Sequence, residues 1–233
     1  VVVEAADVTQ AEDIAAIITK INLDMPPLKG VIHAAMVLNI NILMQMNADD
    51  MRRVMNPKIL GAWNLHCLTQ GNELDFFILF SSIVNYFGTA GQSSYSAANS
   101  FLDSLAHYRR ANGLPALSIN WGAIGEAGYF AEHESFRDTF KRQGIEALTL
   151  NQAWQTLYYG FQKNLVQIGV VPVDWTVSSR YITSIAKTPR LSHLININEN
   201  KAETEKFAES ESSASLPDSL DERKEFLSNL LSS

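Results

Sequence analysis

LFSSIVNYFGTAGQSSYSAAN, residues 79–99, is the stretch on which the fold turns. It closes a short apolar run, Phe76 to Phe80, of the kind that fills a parallel sheet covered on both faces. Ser81 and Ser82 end that run. Gly88, Gly91 and the intervening polar residues punctuate a loop, and a helix opens near Tyr95. On a helix Tyr95 and Asn99 stand one turn apart, so their side chains point the same way. A serine hydroxyl at a strand end facing a tyrosine on the next helix is a candidate acid-catalysis site. An ordinary strand-loop-helix with a half-buried tyrosine fits the same residues, and this stretch alone leaves both open.

Working outward, the same alternation repeats. Val1 to Val3 are β-branched and predict the end of a strand. Thr9 with Glu12 predicts a capping box, followed by Ile14, Ile17, Ile18 and Ile21 at helical spacing. Pro26, Pro27 and Gly30 break the pattern, and Gly30 to Ala35 predicts a buried strand. Asn47 and Asp50 predict the start of a helix that Pro57 should kink or divide, resuming from Lys58 to Thr69. The helix of Tyr95 continues through Leu102, Leu105 and Tyr108. After Pro115, ALSINWG predicts a strand, a short helix follows near Ser135 to Lys141, and Thr149 with Gln152 caps another. Val166 to Val173 predicts the last strand.

The order β-α-β-α-β-α-β-α-β implies an α/β fold with a doubly wound parallel sheet. Ligands in such sheets sit at the carboxyl ends of the strands. Asp7, Ala34, Ala35, Ser81, Ser82 and the residues Asn120 to Gly122 all fall there.

Composition narrows the function classes. The chain has 233 residues, 46% of them hydrophobic, and a formal net charge of −7. Nine acidic and four basic residues between Glu199 and Glu225 carry −5 of that charge, leaving −2 for the rest. A nearly neutral body offers no basic field for nucleic acid. Cys67 is the single cysteine, which excludes an internal disulfide and any multi-cysteine metal site. The five histidines show no ligand spacing, so no metal is expected. No apolar run reaches the ~18 residues of a membrane span, and no signal peptide is visible, so a reduced, cytoplasmic setting is expected. Residues 196–217 shift to Glu, Lys, Ser, Ala and Asn, the composition of a flexible linker. A short amphipathic segment follows from Leu220 to Leu231. The start at VVVEAADVT, without a methionine, predicts a piece of something longer.

Several of these stretches together resemble the ketoreductase domain of modular polyketide synthases, in the short-chain dehydrogenase/reductase superfamily. They are ADVT (6–9), PPLKGVIHAA (26–35), NPKILGAWNLH (56–66), LDFFILFSS (74–82), GQSSYSAAN (91–99), FLDSLAHYRRANGLPALSINWG (101–122) and PVDW (172–175). The resemblance spans residues 1 to about 195 and implies a Rossmann-like fold whose N-terminal strand and Gly-rich turn are missing from this chain. No G-x-G-x-x-G occurs in it, so the isolated chain is expected not to reduce anything unaided. Residues 218–233 resemble the start of an acyl-carrier domain. Asp218-Ser219-Leu220 precedes the helix there and is expected to be its N-cap, not a phosphopantetheine site.

The resemblance implies NADPH-dependent reduction of a carrier-bound 3-ketoacyl thioester, with neighbouring synthase domains and an acyl-carrier domain as partners. Tyr95 would be the general acid, Ser82 a donor to the ketone oxygen, and Ser81 a structural neighbour. Lys58 would stand in for the lysine that most of the superfamily places four residues after the tyrosine, where this chain has Asn99. A free tyrosine titrates near pH 10, so a cation beside it eases proton transfer at neutral pH. Asn99 would position Lys58 or a water. For the cofactor, Asp7 and Val8 would meet the adenine, Ala34 and Ala35 the ribose side, Lys58 and Tyr95 the nicotinamide ribose, and Asn120, Trp121 and Gly122 the nicotinamide end.

Three departures matter. Met36 stands where the family usually has Gly, and Leu38-Asn39-Ile40 replaces a Leu-Asp-Asp signature. Members of the opposite stereochemical group carry a Trp eight residues before the tyrosine, where this chain has Phe87, so neither fingerprint is met. The alcohol configuration is therefore undetermined, and a non-reducing structural or epimerising domain is the alternative. Residues 127–144 are expected to form a lid.

Overall fold

The computed structural model describes residues 1–126, 134–182 and 188–195. The elements in chain order are α1 (Ala11–Asp24), β1 (Gly30–His33), a 3-10 turn (Leu43–Gln45), α2 (Ala48–Leu68), β2 (Phe76–Ser82), α3 (Val84–Phe87), α4 (Ser93–Ala111), β3 (Leu117–Trp121), α5 (Glu134–Arg142), α6 (Leu150–Gln162), β4 (Gln167–Val170), α7 (Trp175–Tyr181) and α8 (Pro189–Ile195). The four strands form one sheet in the order β1-β2-β3-β4. β1 runs parallel to β2, with Gly30 opposite Phe76 and His33 opposite Leu79. Ser118 and Gly122 donate to the Val166 and Val170 carbonyls at a constant offset, the ladder of a parallel pair. The expected parallel α/β architecture is present, with one strand fewer.

The missing strand is the first. Val1 to Val3 are exposed and pair with nothing among the described residues. The Thr9–Glu12 capping box does not form either. The Asp7 carboxylate accepts the Thr9 amide at 2.9 Å and folds the chain into an Asx turn, so α1 begins one residue later with Gln10 at its cap. By contrast, the Asn47–Asp50 and Thr149–Gln152 capping boxes are both complete. Pro57 does not divide α2, which runs unbroken for 21 residues.

The chain divides into two units, one of residues 1–120 with 165–169 and one of 121–164 with 170–233. In the first, Val31, Ala62, Phe77, Leu79, Leu102, Leu105, Ala106 and Ala116 form the core beneath the site. Burying such side chains stabilises by roughly 1.5–3 kcal/mol for each large one. Arg109 of α4 is buried in that core, its guanidinium carbon 3.8 Å from the Phe77 ring centroid. Its Nε donates to the Pro115 carbonyl (3.1 Å) and its Nη1 to His66 Nδ1 (2.9 Å). In the second unit, Ile124 bridges Leu148 and Ile145 bridges Val173. Asp174 caps α7 by accepting the Thr176 and Val177 amides.

The expected linker (196–217) and carrier-like segment (218–233) lie outside the described residues, as do residues 127–133 of the expected lid.

Candidate active site

Lys58 lies on the buried face of α2, which packs on α4. Its Nζ donates to the Phe80 carbonyl at 2.7 Å and sits 5.4 Å from the Tyr95 ring centroid. Among the described residues no carboxylate comes within ion-pair distance of it. Burial pushes the ammonium down to about 8, and the charge of Asp103 pulls the other way. Keeping it charged at neutral pH therefore costs roughly 3 kcal/mol, because each pKa unit is about 1.4 kcal/mol. A lysine held at that cost beside a tyrosine is what a proton-handling site calls for.

Tyr95 enters from the first turn of α4, which opens at Ser93, two residues before the expected point. Burial raises its phenol above the ordinary 10, while the Asn99 side chain and the Ser82 hydroxyl favour the ionised form. Its Oη points toward Met36, 4.0 Å from the thioether sulfur. Ser82 ends β2 and its Oγ accepts the Val84 amide at 3.3 Å. Gly91, at φ 78° just before α4, packs against Ile40 and accepts the Asn41 amide through its carbonyl at 3.0 Å. That bond pins the segment after Met36 beside the start of the tyrosine helix.

Asn99 is fully buried. Its Nδ2 donates to the Tyr95 carbonyl at 2.8 Å, and its Oδ1 has no partner. An orphaned acceptor one helical turn from Tyr95 suits a bound group carrying hydroxyls. Ala34 and Ala35 follow β1 with small, partly exposed side chains, so the backbone there is open to close approach. Asp7 and Val8 are anchored at the other end of this face. Asn64 of α2 donates to the Val8 carbonyl at 3.1 Å, and Val8 packs so close to Gly61 that a Cβ there would sit 2.9 Å from it. These residues fit an extended cofactor lying across the strand ends.

Ser81 is buried and donates to the Asn99 carbonyl at 3.3 Å. Asn120 is also fully buried. Its amide nitrogen serves Asp103 and Ser81, and its oxygen accepts Tyr86 Oη (3.0 Å) and Gln167 Nε2 (2.9 Å). Both polar atoms of that side chain are thus engaged by the protein. Trp121 ends β3 with a buried side chain, and Gly122 packs closely against Val171; both belong to the second unit. Asp103 and its partners were not foreseen; the only signal was an acid on the same α4 face, four residues after Asn99.

The KR domain profile matches residues 1–126, more than half the chain. This chain belongs to the polyketide synthase ketoreductase domain family. The ketoreductase domain is 42% identical over 181 residues to the highly reducing polyketide synthase cm3B of Cordyceps militaris, covering 75% of this chain and 7% of that synthase. It is 35% identical over 213 residues to the phthioceranic/hydroxyphthioceranic acid synthase of Mycobacterium tuberculosis, covering 89% of this chain and 10% of that protein. Among solved structures, an A-type ketoreductase from a modular polyketide synthase superposes with a TM-score of 0.73 at 33% identity, over 78% of this chain and 38% of that one. The chain thus spans a small part of the synthases it matches. Among the described residues no helix is long and apolar enough to cross a membrane, and no cluster could hold a metal ion.

His33, at the end of β1, supplies a pH test of the folded ketoreductase domain. Burial, helped by the Lys58 charge, lowers it to about 4 from an ordinary 6.5. Its stabilising contribution is complete above pH 6.5 and is lost as pH falls through about 4. The melting temperature of the domain is therefore expected to drop between pH 6.5 and 4.5, by the equivalent of up to roughly 3 kcal/mol. His33→Gln should flatten that slope; an equal slope in both proteins would remove His33 as its source.

Proposed function

We propose that this ketoreductase domain carries out NADPH-dependent reduction of a carrier-bound 3-ketoacyl thioester to the 3-hydroxyacyl thioester, within a multidomain synthase. The observation that carries the reading is the buried Lys58 ammonium, 5.4 Å from the Tyr95 ring, with Ser82 at the adjoining strand end. The nicotinamide, when bound, supplies the hydride. Tyr95 then gives its phenolic proton to the ketone oxygen. Ser82 donates a hydrogen bond to that oxygen as its negative charge grows. The Lys58 ammonium stabilises the phenolate left on Tyr95 and favours its reprotonation. The free Asn99 Oδ1 orients a water or the ribose beside Lys58. Asp7, Val8, Ala34 and Ala35 line the adenine and ribose side. Residues 196–217 act as the tether toward a carrier domain beginning near residue 218, and the assembly works in the cytoplasm.

The test uses the full-length synthase polypeptide carrying these residues. Nicotinamide absorbance is followed with a 3-ketoacyl thioester on its carrier. Consumption of NADPH with a matching gain of two mass units on the carrier-bound acyl chain is the expected result. Consumption with NADH alone would overturn the cofactor assignment.

A second reading, a non-reducing or epimerising domain, is favoured by one observation, the Met36 thioether against the Tyr95 hydroxyl. A folded protein that exchanges the C2 hydrogen of the thioester without consuming NADPH would select it.

A further inference from the structure

We infer that Asp103 is a positioning residue for this site, clamping the Ser82 end of β2 to the Tyr95 helix and presenting a negative charge toward the buried Lys58 ammonium. The inference rests on Lys58 and Tyr95 being the proton-handling pair proposed above.

The geometry is that of a clamp. Tyr95, Asn99 and Asp103 occupy successive turns of one face of α4. The Asp103 carboxylate accepts from Ser118 Oγ (2.6 Å), Asn85 Nδ2 (2.7 Å) and Asn120 Nδ2 (2.9 and 3.1 Å). These donors come from β3 and from α3, which directly follows the Ser82 strand end. The Asn120 amide also reaches Ser81 Oγ (2.9 Å) and the Ser82 carbonyl (3.3 Å), so one carboxylate ties both serines to the helix of Tyr95. On the far side, Gln167 links Asn120 to His107, with Nε2 to Oδ1 at 2.9 Å and Oε1 to the imidazole at 3.1 Å. A half-buried carboxylate with this many donors is rigid, because each partner is fixed by an element of the core.

The electrostatic half follows from what surrounds Lys58. From β1 comes His33, held uncharged; from β2, the Phe80 carbonyl; from α4, the Tyr95 phenol and Asp103. The inward side chains of α1 are Ile14 and Ile18. Asp103 shares the α4 face of Tyr95, whose ring centroid lies 5.4 Å from the ammonium, and its charge opposes the desolvation of Lys58. It is no part of the reacting group set; it acts through Lys58 and Ser82.

Two readouts test this. In the 233-residue chain, the Lys58 titration is followed by 13C NMR of its ε-carbon, assigned with Lys58→Met. Asp103→Asn should move the Lys58 midpoint toward acid by about half a pH unit or more, and Asp103→Glu, which keeps the charge, should restore it. In the full-length polypeptide, Ser118→Ala removes the shortest bond to the carboxylate without changing any charge. It should lower kcat about tenfold with KM for NADPH unchanged. An unmoved Lys58 midpoint in folded Asp103→Asn protein overturns the electrostatic half. If that variant does not fold, full kcat in Ser118→Ala overturns the clamp. Native protein that reduces nothing, with the titration shift intact, would sink the reductase reading and leave Asp103 coupled to Lys58.

Discussion

Tyr95→Phe is expected to reduce turnover of a 3-ketoacyl thioester by at least about 10²-fold, with melting temperature and KM for NADPH nearly unchanged. The substitution removes one oxygen. That oxygen lies 4.0 Å from the Met36 sulfur, a weak acceptor, and interacts with the Asn99 and Ser82 side chains, so the fold loses little. The ring keeps its packing against the Lys58 ammonium. What disappears is the proton donor, and a general acid is worth about 10²–10⁴-fold. Measured as kcat and KM on the full-length polypeptide, a loss confined to kcat assigns the proton to Tyr95. Retention of more than about a tenth of native kcat would move the acid to another group, and Ser82→Ala would be the next variant.

Lys58→Met should abolish turnover to a similar degree and yet leave the domain as stable as the native chain, or more so. The ammonium is buried with one backbone acceptor and held down to about 8. At pH 7 it is charged in both the folded and unfolded chain, and burial makes the charge unfavourable in the folded one. That destabilisation is fully present below pH 8 and fades as pH rises toward 10.5, where the unfolded lysine also loses its proton. Met removes it, at the cost of about 1 kcal/mol for the bond to Phe80. A melting temperature at pH 7 equal to native or up to a few degrees higher is expected. The native rise in stability between pH 8 and 10.5 should vanish in the variant. A drop of more than about 5 °C would instead make Lys58 a structural strut. Stability given up at a working residue is common where activity requires a strained or buried charge.

Much of this was legible in the chain. The Phe-rich run, the glycines before Tyr95 and the capping boxes at Asn47 and Thr149 depend on neighbours a few residues away. Local chemistry therefore settled where β2, α2, α4 and α6 lie. Where local signals competed, the pattern misled. Thr9 and Glu12 spell a capping box, but the Asp7 carboxylate closes an Asx turn first and moves the helix start. Val1 to Val3 have strand propensity, but a strand exists only where another strand pairs with it. That four side chains from other elements engage the Asn120 amide is a through-space relation no local pattern announces.

By itself the sequence determined the alternation of strands and helices and the absence of metal-ligand spacing, and its resemblance to the ketoreductase family supplied the candidate set Lys58, Ser82, Tyr95 and Asn99. Periodicity, turn residues and motif spacing are properties of contiguous residues, so they survive without coordinates. Only the tertiary structure decided that Lys58, 37 positions before Tyr95, lies beside its ring, and that Asp103 grips β3 and the end of β2. Those are through-space relations between segments brought together by the common core, and desolvation and Coulomb terms depend on such distances.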